Sequence, residues 1–300
     1  MTACPPPLAR PVLLAAGPCS LSGLLSRPRR HARGTLVALH GGGMNAAYFH
    51  GEALPELFLL TIGAAAGWNV LALDRPGYGA SAGLPAELCL LRAQADLVFR
   101  ALDTFALSHD VGAGFLLCGH SYGLKLSIHL GGHARGGELL GLDGSGAGRR
   151  YRPERTRRVA EGTRQLSRQD AIRLFWGPPE LYPPGTFRPG RGLIEPVPAT
   201  ENREAAAWPD EFPALAAAVR IPVRLTFAEH ENWWVCDDAE LAAIAGAFAA
   251  APSVETARQP GAGHNISLGW AALPYHLAAL AFAERCLLRA RGDTPPKETW

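Results

Sequence analysis

A serine flanked by glycines occupies the middle of the chain, in the sequence Gly119-His120-Ser121-Tyr122-Gly123. A compact apolar run, 114–118, precedes it, and a segment compatible with a helix, 124–133, follows it. A sharp strand-to-helix turn needs small residues on either side of its centre, because the two backbones pass closely there. The pattern therefore predicts that Ser121 projects from a strained turn as an exposed nucleophile. The N-terminus of the following helix favours negative charge nearby.

Apolar runs of strand length alternate with amphipathic segments over most of the chain. This alternation predicts an α/β domain with a mostly parallel central sheet and helices on both of its faces. The connections are expected to be right-handed crossovers. The predicted strands cover residues 12–25, 35–39, 69–73, 114–118, 138–142, 223–227 and 254–257, and the predicted helices cover 54–66, 88–105, 124–133, 238–250 and 270–289.

The alternation is interrupted between residues 149 and 213, where arginines, tryptophans and proline pairs replace it. We therefore expect residues 1–148 and 214–291 to form the two parts of one core domain. The intervening stretch, 149–213, is predicted to be an inserted cap over the core. Residues 292–300 are predicted to form a polar tail.

A histidine must lie later in the chain if Ser121 is a nucleophile, because a serine hydroxyl is a weak nucleophile until a base removes its proton. His264 is the best of the ten histidines. It lies in a glycine-rich loop, 260–265, after the last predicted strand, and such loops often carry functional residues. The competing histidines, which lie on the helix after the turn or beside a candidate acid, are His129, His133 and His230.

A carboxylate is then needed to accept a hydrogen bond from the imidazole and to stabilise its cation. Glu231 follows the predicted strand 223–227, and Asp143 ends the strand before the insertion. Both satisfy the chain order serine, acid, histidine. We favour Glu231 because its loop lies one strand before His264. Asp143 is the alternative acid, and Glu229, Asp237 and Asp238 are further candidates.

Three glycines follow the predicted strand 35–39, in the sequence His40-Gly41-Gly42-Gly43. Glycines after a strand end let backbone N–H groups approach a substrate without an intervening side chain, and acyl transfer needs such donors for the oxyanion. We predict that the N–H groups of Gly42 and Tyr122 form an oxyanion hole, with Gly43 in reserve. The triple glycine completes no phosphate-binding motif, and we expect neither a metal nor a cofactor.

These residues resemble the motifs of the α/β-hydrolase superfamily, in its cap-bearing branch with a serine nucleophile. The blocks that carry the resemblance, which spans nearly the whole chain, are 40–43, 74–81, 119–123 and 261–264. The resemblance implies the α/β-hydrolase fold. It also implies that the acid follows the strand 223–227, where Glu231 aligns with the usual aspartate. The block 74–81 is implied to shape the floor of the site without being catalytic.

A serine nucleophile favours an acyl-enzyme over the alkyl-enzyme chemistry of relatives that carry aspartate at this position. We therefore expect a hydrolase of the esterase or thioesterase class, which cleaves a carboxylic ester or thioester of a small molecule. One alternative is a natural-product pathway enzyme that uses the same triad for acyl transfer, cyclisation or elimination. A second alternative is a ligand-binding protein on the same fold.

The predicted cap combines aromatic and basic residues. Trp176, together with Trp233 and Trp234 beyond the acid, is predicted to line a substrate pocket, with packing as the alternative. The arginines at 149, 150, 152, 155, 157 and 158 are compatible with an anionic handle, either a substrate carboxylate or the phosphopantetheine of a carrier protein that bears the acyl chain. A charged, solvated helix face is the simpler interpretation of these arginines.

The charge balance gives no reason to expect a polyanionic partner. Lys+Arg number 29 and Asp+Glu number 27, for a net charge of +2, so a nucleic-acid partner is not expected. No apolar run approaches the roughly 20 residues of a membrane-spanning helix, and we expect no membrane span. The six cysteines show no CxxC spacing, which favours free thiols in a reducing compartment and a cytoplasmic location.

Overall fold

A computed structural model describes residues 9–50, 54–161, 167–187 and 192–292. The strands are β1 (Arg10–Ala15), β2 (Ser20–Ser26), β3 (Thr35–Leu39), β4 (Asn69–Leu73), β5 (Phe115–His120), β6 (Gly141–Ser145), β7 (Val223–His230) and β8 (Val254–Gly263). The helices are α1 (Leu59–Ala65), α2 (Leu91–Ser108), α3 (Tyr122–Gly132), α4 (Pro153–Glu161), α5 (Arg168–Phe175), α6 (Ala199–Ala218), α7 (Asp238–Ala247) and α8 (Ala272–Gly292).

All of these strands form one sheet, in the order β1-β2-β4-β3-β5-β6-β7-β8. β2 pairs antiparallel with β1 and with β4, whereas the neighbouring strands from β4 across to β8 pair in parallel. β3 and β4 are buried at every position, as expected of parallel strands covered on both faces. The prediction of a mostly parallel α/β sheet is confirmed.

Different helices cover the two faces of the sheet. Val37 and Leu39 of β3 belong to an apolar cluster with residues of α2, α3 and α6. Leu36 and Ala38 of the same strand belong to a second cluster with residues of α1 and α8. Because alternate residues of a strand point to opposite faces, these clusters are the two core layers. The carboxyl ends of the parallel strands meet at one edge, where sites in open α/β sheets form.

Several strands differ from their predicted extents: β6 covers residues 141–145 instead of 138–142, β7 continues to His230 instead of ending at Phe227, and the two largest differences are in β1–β2 and β8. The region 12–25 forms two antiparallel strands instead of one, because the chain reverses at Gly17, whose φ is +77°. β8 runs to Gly263, where the sequence predicted an end near Ala257. Its second half pairs with β7 across a register shift between Ala228 and His230. The sequence predicted a shorter strand because the proline and glycines in this half are typical of a loop.

The chain between β6 and β7, residues 146–222, contains α4, α5 and α6, and we call it the β6–β7 segment. The predicted cap, 149–213, lies within it. The predicted end at residue 213 falls inside α6, which continues to Ala218. The predicted tail lies outside the described residues except for Gly292, the last residue of α8. Among the residues described, no helix combines the length and the apolar character needed to cross a membrane.

Candidate active site

Ser121 occupies the turn between β5 and α3. Its φ of +52° is the one positive value at a residue other than glycine in the described part of the chain, and this conformation is strained for an L-residue. A Cβ on Gly119 would lie 2.5 Å from the Ser127 Oγ, and a Cβ on Gly123 would lie 2.0 Å from the Leu39 carbonyl oxygen. Both flanking glycines are therefore sterically required by the turn.

His264 and Glu231 complete a chain of contacts that starts at Ser121. The His264 Nε2 lies 3.3 Å from the Ser121 Oγ, and its Nδ1 lies 2.9 and 3.0 Å from the two carboxylate oxygens of Glu231. Glu231 is buried and also accepts a hydrogen bond from the Trp233 N–H at 2.9 Å. A carboxylate beside Nδ1 favours the tautomer with a proton on that nitrogen. The Nε2 lone pair then faces the serine hydroxyl.

The glycine loop after β3 runs beside Ser121, since a Cβ on Gly41 would lie 3.2 Å from the Ser121 Cβ. The Gly43 N–H donates to the Tyr78 hydroxyl at 3.0 Å, so the reserve donor is already engaged. Within the described residues, the Gly42 N–H has no protein acceptor. Of the two loop amides considered in the sequence, Gly42 is therefore the one left for a ligand.

A pocket of about 1180 Å³ opens in front of Ser121. The predicted pocket residues Trp176, Trp233 and Trp234 all line it, and Phe175 of α5 stacks on Trp233 with ring centroids 5.3 Å apart. The wall around Ser121 also includes Gly42, Tyr122 and His264. The arrangement places a polar end against a largely aromatic and aliphatic volume, which suits a ligand with an apolar body.

Several solved structures share this fold. An esterase from Thermogutta terrifontis is 20% identical with a TM-score of 0.59, and the alignment covers 93% of this chain and 99% of that one. The N-acyl homoserine lactonase AidH is 17% identical with a TM-score of 0.62, covering 98% and 100%. A thioesterase domain from the curacin biosynthetic pathway is 15% identical with a TM-score of 0.58, covering 93% and 99%. Such low identities show a common fold alone.

The sequence profile described as the alpha/beta hydrolase family matches residues 36–287. The chain belongs to the alpha/beta hydrolase family. No curated protein matches its sequence. The matched region runs from β3 into α8 and contains the glycine loop, the Ser121 turn and the loop of His264. Membership in this family makes the protein a hydrolase.

In this hydrolase, Asp143, the alternative acid, is engaged away from His264. It lies buried in β6, where it accepts hydrogen bonds from Arg224 at 2.5 Å and from the Tyr275 hydroxyl at 3.2 Å. The structure therefore does not bring Asp143 to the imidazole. The further candidates are also occupied elsewhere: Glu229 accepts from the Gly261 N–H, Asp237 caps α7, and Asp238 pairs with Arg258.

The competing histidines have other surroundings. His129 lies on α3, and burial lowers its pKa to about 4. The His133 Nε2 faces Asp96 at 3.1 Å, and His230 is exposed beside Glu229. None of these three groups forms a hydrogen bond with Ser121 among the contacts of the described residues.

His120, which sequence reasoning did not single out, supports the loop that carries His264. Its ring stacks on Tyr48 with centroids 4.7 Å apart, and its Nε2 lies 3.2 Å from the Asn265 Oδ1. Burial, and to a smaller extent the charge of His264, holds the pKa of His120 well below its ordinary value. The neutral ring therefore donates to the side-chain oxygen of Asn265, the residue after His264. Its place inside the glycine-flanked turn was the available signal.

None of the arginines of the predicted cap that the structure describes lines the pocket. Arg149 and Arg150 both pair with Glu240 of α7, at 2.9 and 2.7 Å. Arg155 donates to the Asn232 carbonyl at 3.0 Å. A buried carboxylate thus already pairs with Arg149 and Arg150, and the interpretation of the arginines as a site for an anionic handle stays a prediction. The side chains of Arg157 and Arg158 lie outside the described residues.

A buried ion pair near the glycine loop was also missed from the sequence. The Arg75 guanidinium is fully buried and donates to Glu201 at 2.7 Å and to the His40 carbonyl at 2.8 Å. The Tyr78 hydroxyl donates to the same Glu201 oxygen at 2.9 Å. Because Glu201 belongs to α6, this pair ties the β6–β7 segment to the glycine loop. An arginine directly after a buried strand was a usable signal, but nothing pointed to a partner 126 residues away.

Proposed function

We propose that this hydrolase cleaves a carboxylic ester or thioester of a small molecule through an acyl-enzyme on Ser121. The observation that carries the proposal is the continuous set of contacts from the Ser121 Oγ through His264 to the buried Glu231 carboxylate. Such a set supplies a nucleophile, a base and a group that stabilises the protonated base. Relatives of the same fold include an esterase, a lactonase and a thioesterase domain.

In the first half of the reaction, the Ser121 oxygen attacks the carbonyl carbon while the His264 Nε2 takes the hydroxyl proton. The carbonyl oxygen becomes an oxyanion, which accepts hydrogen bonds from the N–H groups of Gly42 and Tyr122. As the tetrahedral intermediate collapses, the bond to the alcohol or thiol breaks, and the leaving group takes the proton from His264. The acyl group stays on Ser121 as an ester.

In the second half, a water molecule replaces the leaving group. His264 removes one of its protons as the water oxygen attacks the acyl carbon, and the same two N–H groups hold the new oxyanion. Collapse breaks the ester to Ser121, which recovers its proton from His264, and the carboxylic acid is released. Glu231 keeps the imidazole oriented and stabilises its cation in both halves.

The test is active-site labelling with a fluorophosphonate probe, compared between the wild type, Ser121→Ala and Ser253→Ala. Ser253 is exposed and precedes β8, so its replacement is a control for the loss of a serine hydroxyl. We expect labelling of the wild type and of Ser253→Ala, and none of Ser121→Ala. Hydrolysis of 4-nitrophenyl esters should fall by about 10⁴-fold or more in Ser121→Ala. Undiminished labelling of Ser121→Ala would overturn the proposal.

The class of leaving group is resolved by a matched set of substrates. Oxygen esters and thioesters of the same acyl groups, over a range of chain lengths, give kcat/KM for each pair. The largely apolar wall predicts that kcat/KM rises with acyl length until the pocket is filled, because each buried methylene adds about 0.8 kcal/mol of binding. A flat dependence on chain length would contradict the assignment of this pocket to the acyl group.

A further inference from the structure

Lys125 has an unusual environment for a lysine. It lies on α3, four residues after Ser121, and only 3% of its surface is exposed. Its Nζ donates to the Tyr151 hydroxyl at 3.1 Å. The four rings around the amine, with their centroid distances, are Trp208 at 5.0 Å, Tyr122 at 5.1 Å, Trp234 at 5.4 Å and Tyr151 at 5.7 Å. Three of these rings, all but Trp208, line the pocket, as does Lys125 itself.

The choice of lysine at this position is notable in a chain that otherwise uses arginine. Lys125 and Lys297 are the two lysines among 29 basic residues, and Lys297 lies outside the described residues. Within the described part of the chain, Lys125 is also the one lysine or arginine that lines the pocket. An ammonium group is a compact point charge with three donors, whereas a guanidinium is a larger planar fork. Position 125 therefore suits a compact hydrogen-bond donor such as an ammonium group.

The hydrogen bonds of the amine are incomplete. One N–H is directed to Tyr151, whose own hydroxyl donates onward to the Ala205 carbonyl at 3.0 Å. No carboxylate of the described residues lies within ion-pair distance of Lys125. The nearby Glu201 binds Arg75, and Glu204 accepts from the Leu91 N–H and the Tyr122 hydroxyl. A buried amine with unused donors gains when a ligand supplies an acceptor.

We propose that Lys125 is the recognition site for a carboxylate on the substrate, so that the preferred esters carry an acidic group a short distance from the scissile carbonyl. Lys125 follows Ser121 by about one turn of α3, a rise of about 6 Å, and both residues line the same pocket. We therefore expect the amine to be within reach of a carboxylate a few bonds from the scissile carbonyl. A charge-assisted hydrogen bond makes the carboxylate a stronger ligand than a neutral acceptor. This inference rests on the proposed function of the same pocket.

The first experiment compares 4-nitrophenyl hydrogen glutarate with 4-nitrophenyl pentanoate, which have acyl chains of equal length. The readout is the ratio of their kcat/KM values, measured on one enzyme preparation so that the active fraction cancels. We expect the wild type to favour the glutarate ester, and Lys125→Met to lower the ratio by about 10- to 100-fold. Methionine has a similar length and packs well against aromatic rings.

The matched control is Arg220→Met, which removes one positive charge from an exposed residue before β7. Its ratio is expected to equal that of the wild type, which separates local recognition from a change in net charge. A wild-type ratio no higher than that of Lys125→Met would overturn the proposal. An equal fall of the ratio in Arg220→Met would overturn it as well.

The pH dependence of the same ratio gives an independent readout. Burial lowers the pKa of Lys125 to about 7. The titratable groups that face it are Tyr122 of α3, Tyr151 before α4, Glu201, Glu204 and Glu211 of α6, and Arg75 after β4. The ammonium is present below this pKa and lost above it, so the wild-type preference for the glutarate ester should fall as the pH rises from 6 to 9. A ratio that follows the same course in Lys125→Met would contradict the proposal.

A labelling experiment tests binding without turnover. Reductive methylation at pH 7.5, mapped by mass spectrometry, reports on Lys125 with Lys297 as the internal reference. Glutarate should protect Lys125 and leave Lys297 reactive, while pentanol should protect neither. Equal reactivity of Lys125 with and without glutarate would overturn the proposal. Because this readout needs no hydrolysis, failure of the carboxylate site can be distinguished from failure of the esterase reaction.

Discussion

The turn that carries Ser121 and the β6–β7 segment differ in what fixes their positions. Backbone geometry fixes the turn: the Ser121 N–H donates to the Ser145 carbonyl at 2.7 Å, and a side chain at Gly123 would overlap the Leu39 carbonyl. Charged side chains join the segment to the core in addition to the apolar contacts of α6: Glu201 pairs with Arg75, and the arginines before α4 pair with α7.

Because of this difference, the turn and the segment should be sensitive to different kinds of substitution. A turn defined by close backbone contacts accepts no added atom, because neighbouring main chains cannot move apart without disturbing the sheet. A segment joined to the core partly by ion pairs depends on charge as well as on shape, since removal of one partner leaves the other buried and uncompensated. Substitutions that add atoms in the turn and substitutions that remove a charge from the segment should therefore have effects that different measurements detect.

The largest effect is expected from Gly123→Ala. Its Cβ would lie 2.0 Å from the Leu39 carbonyl oxygen, so the helix that carries the proposed oxyanion donor, the Tyr122 N–H, must shift. We expect esterase activity to be lost and the free energy of unfolding to fall by about 3 kcal/mol or more. Denaturant titration and ester hydrolysis measure these quantities.

Gly246→Ala is the matched control for this change. Gly246 lies on an exposed face of α7, and nothing within 4 Å would meet its Cβ. Alanine there should leave activity unchanged and raise the free energy of unfolding by about 0.5–1 kcal/mol. Equal damage from both substitutions would refute the claim that backbone contact makes the turn special.

The next effect concerns the two acids that the sequence left in competition. Glu231→Gln can present an amide N–H to the imidazole, which removes the acceptor that fixes the tautomer, so kcat/KM should fall by about 10³- to 10⁴-fold. Asp143→Asn should instead destabilise the fold, because Arg224 loses its buried partner. It should leave kcat/KM per folded molecule close to that of the wild type. A large fall of kcat/KM in Asp143→Asn together with little change in Glu231→Gln would instead assign the catalytic role to Asp143.

The smallest of these effects is on the β6–β7 segment. Glu201→Gln leaves the fully buried Arg75 without a countercharge, and the free energy of unfolding should fall by about 3 kcal/mol. The control is Glu255→Gln, which breaks the exposed pair with Arg285 and should cost less than about 1 kcal/mol. A loss no larger for Glu201→Gln than for Glu255→Gln would contradict the view that the buried pair helps to hold the segment.

The sheet and the residues in front of Ser121 could be predicted because their signals are local. The turn at Ser121 is encoded by two glycines within five residues, and buried parallel strands appear as continuous apolar runs. The position of His264 followed from a glycine-rich loop after the last strand. The structure brings Ser121, His264 and Glu231 together, as the sequence predicted, and their catalytic roles stay a proposal.

The partners of charged residues could not be predicted, because they depend on contacts between distant parts of the chain. Arg149 meets Glu240, which is 91 residues away, and no local pattern distinguishes that arginine from one that binds a ligand. The same holds for Glu201, whose helix begins with no sign of a buried carboxylate. The length of β8 was underestimated for another reason: Pro260 and Gly261 have the composition of a turn, but the strand continues past them because Gln259 and Gly263 on either side pair with β7.

The bonds between α5 and the His264 loop have a mechanical consequence. The His264 N–H donates to the Trp176 carbonyl at 3.0 Å, and the Asn265 side chain donates to the Phe175 carbonyl at 3.0 Å. The pocket wall at Phe175 and Trp176 is therefore hydrogen-bonded directly to the loop that carries the imidazole. A ligand that forced Trp176 outward would draw the imidazole away from Ser121 and would occupy the site uncleaved. A substrate that fits the pocket poorly would then lower kcat more than it raises KM.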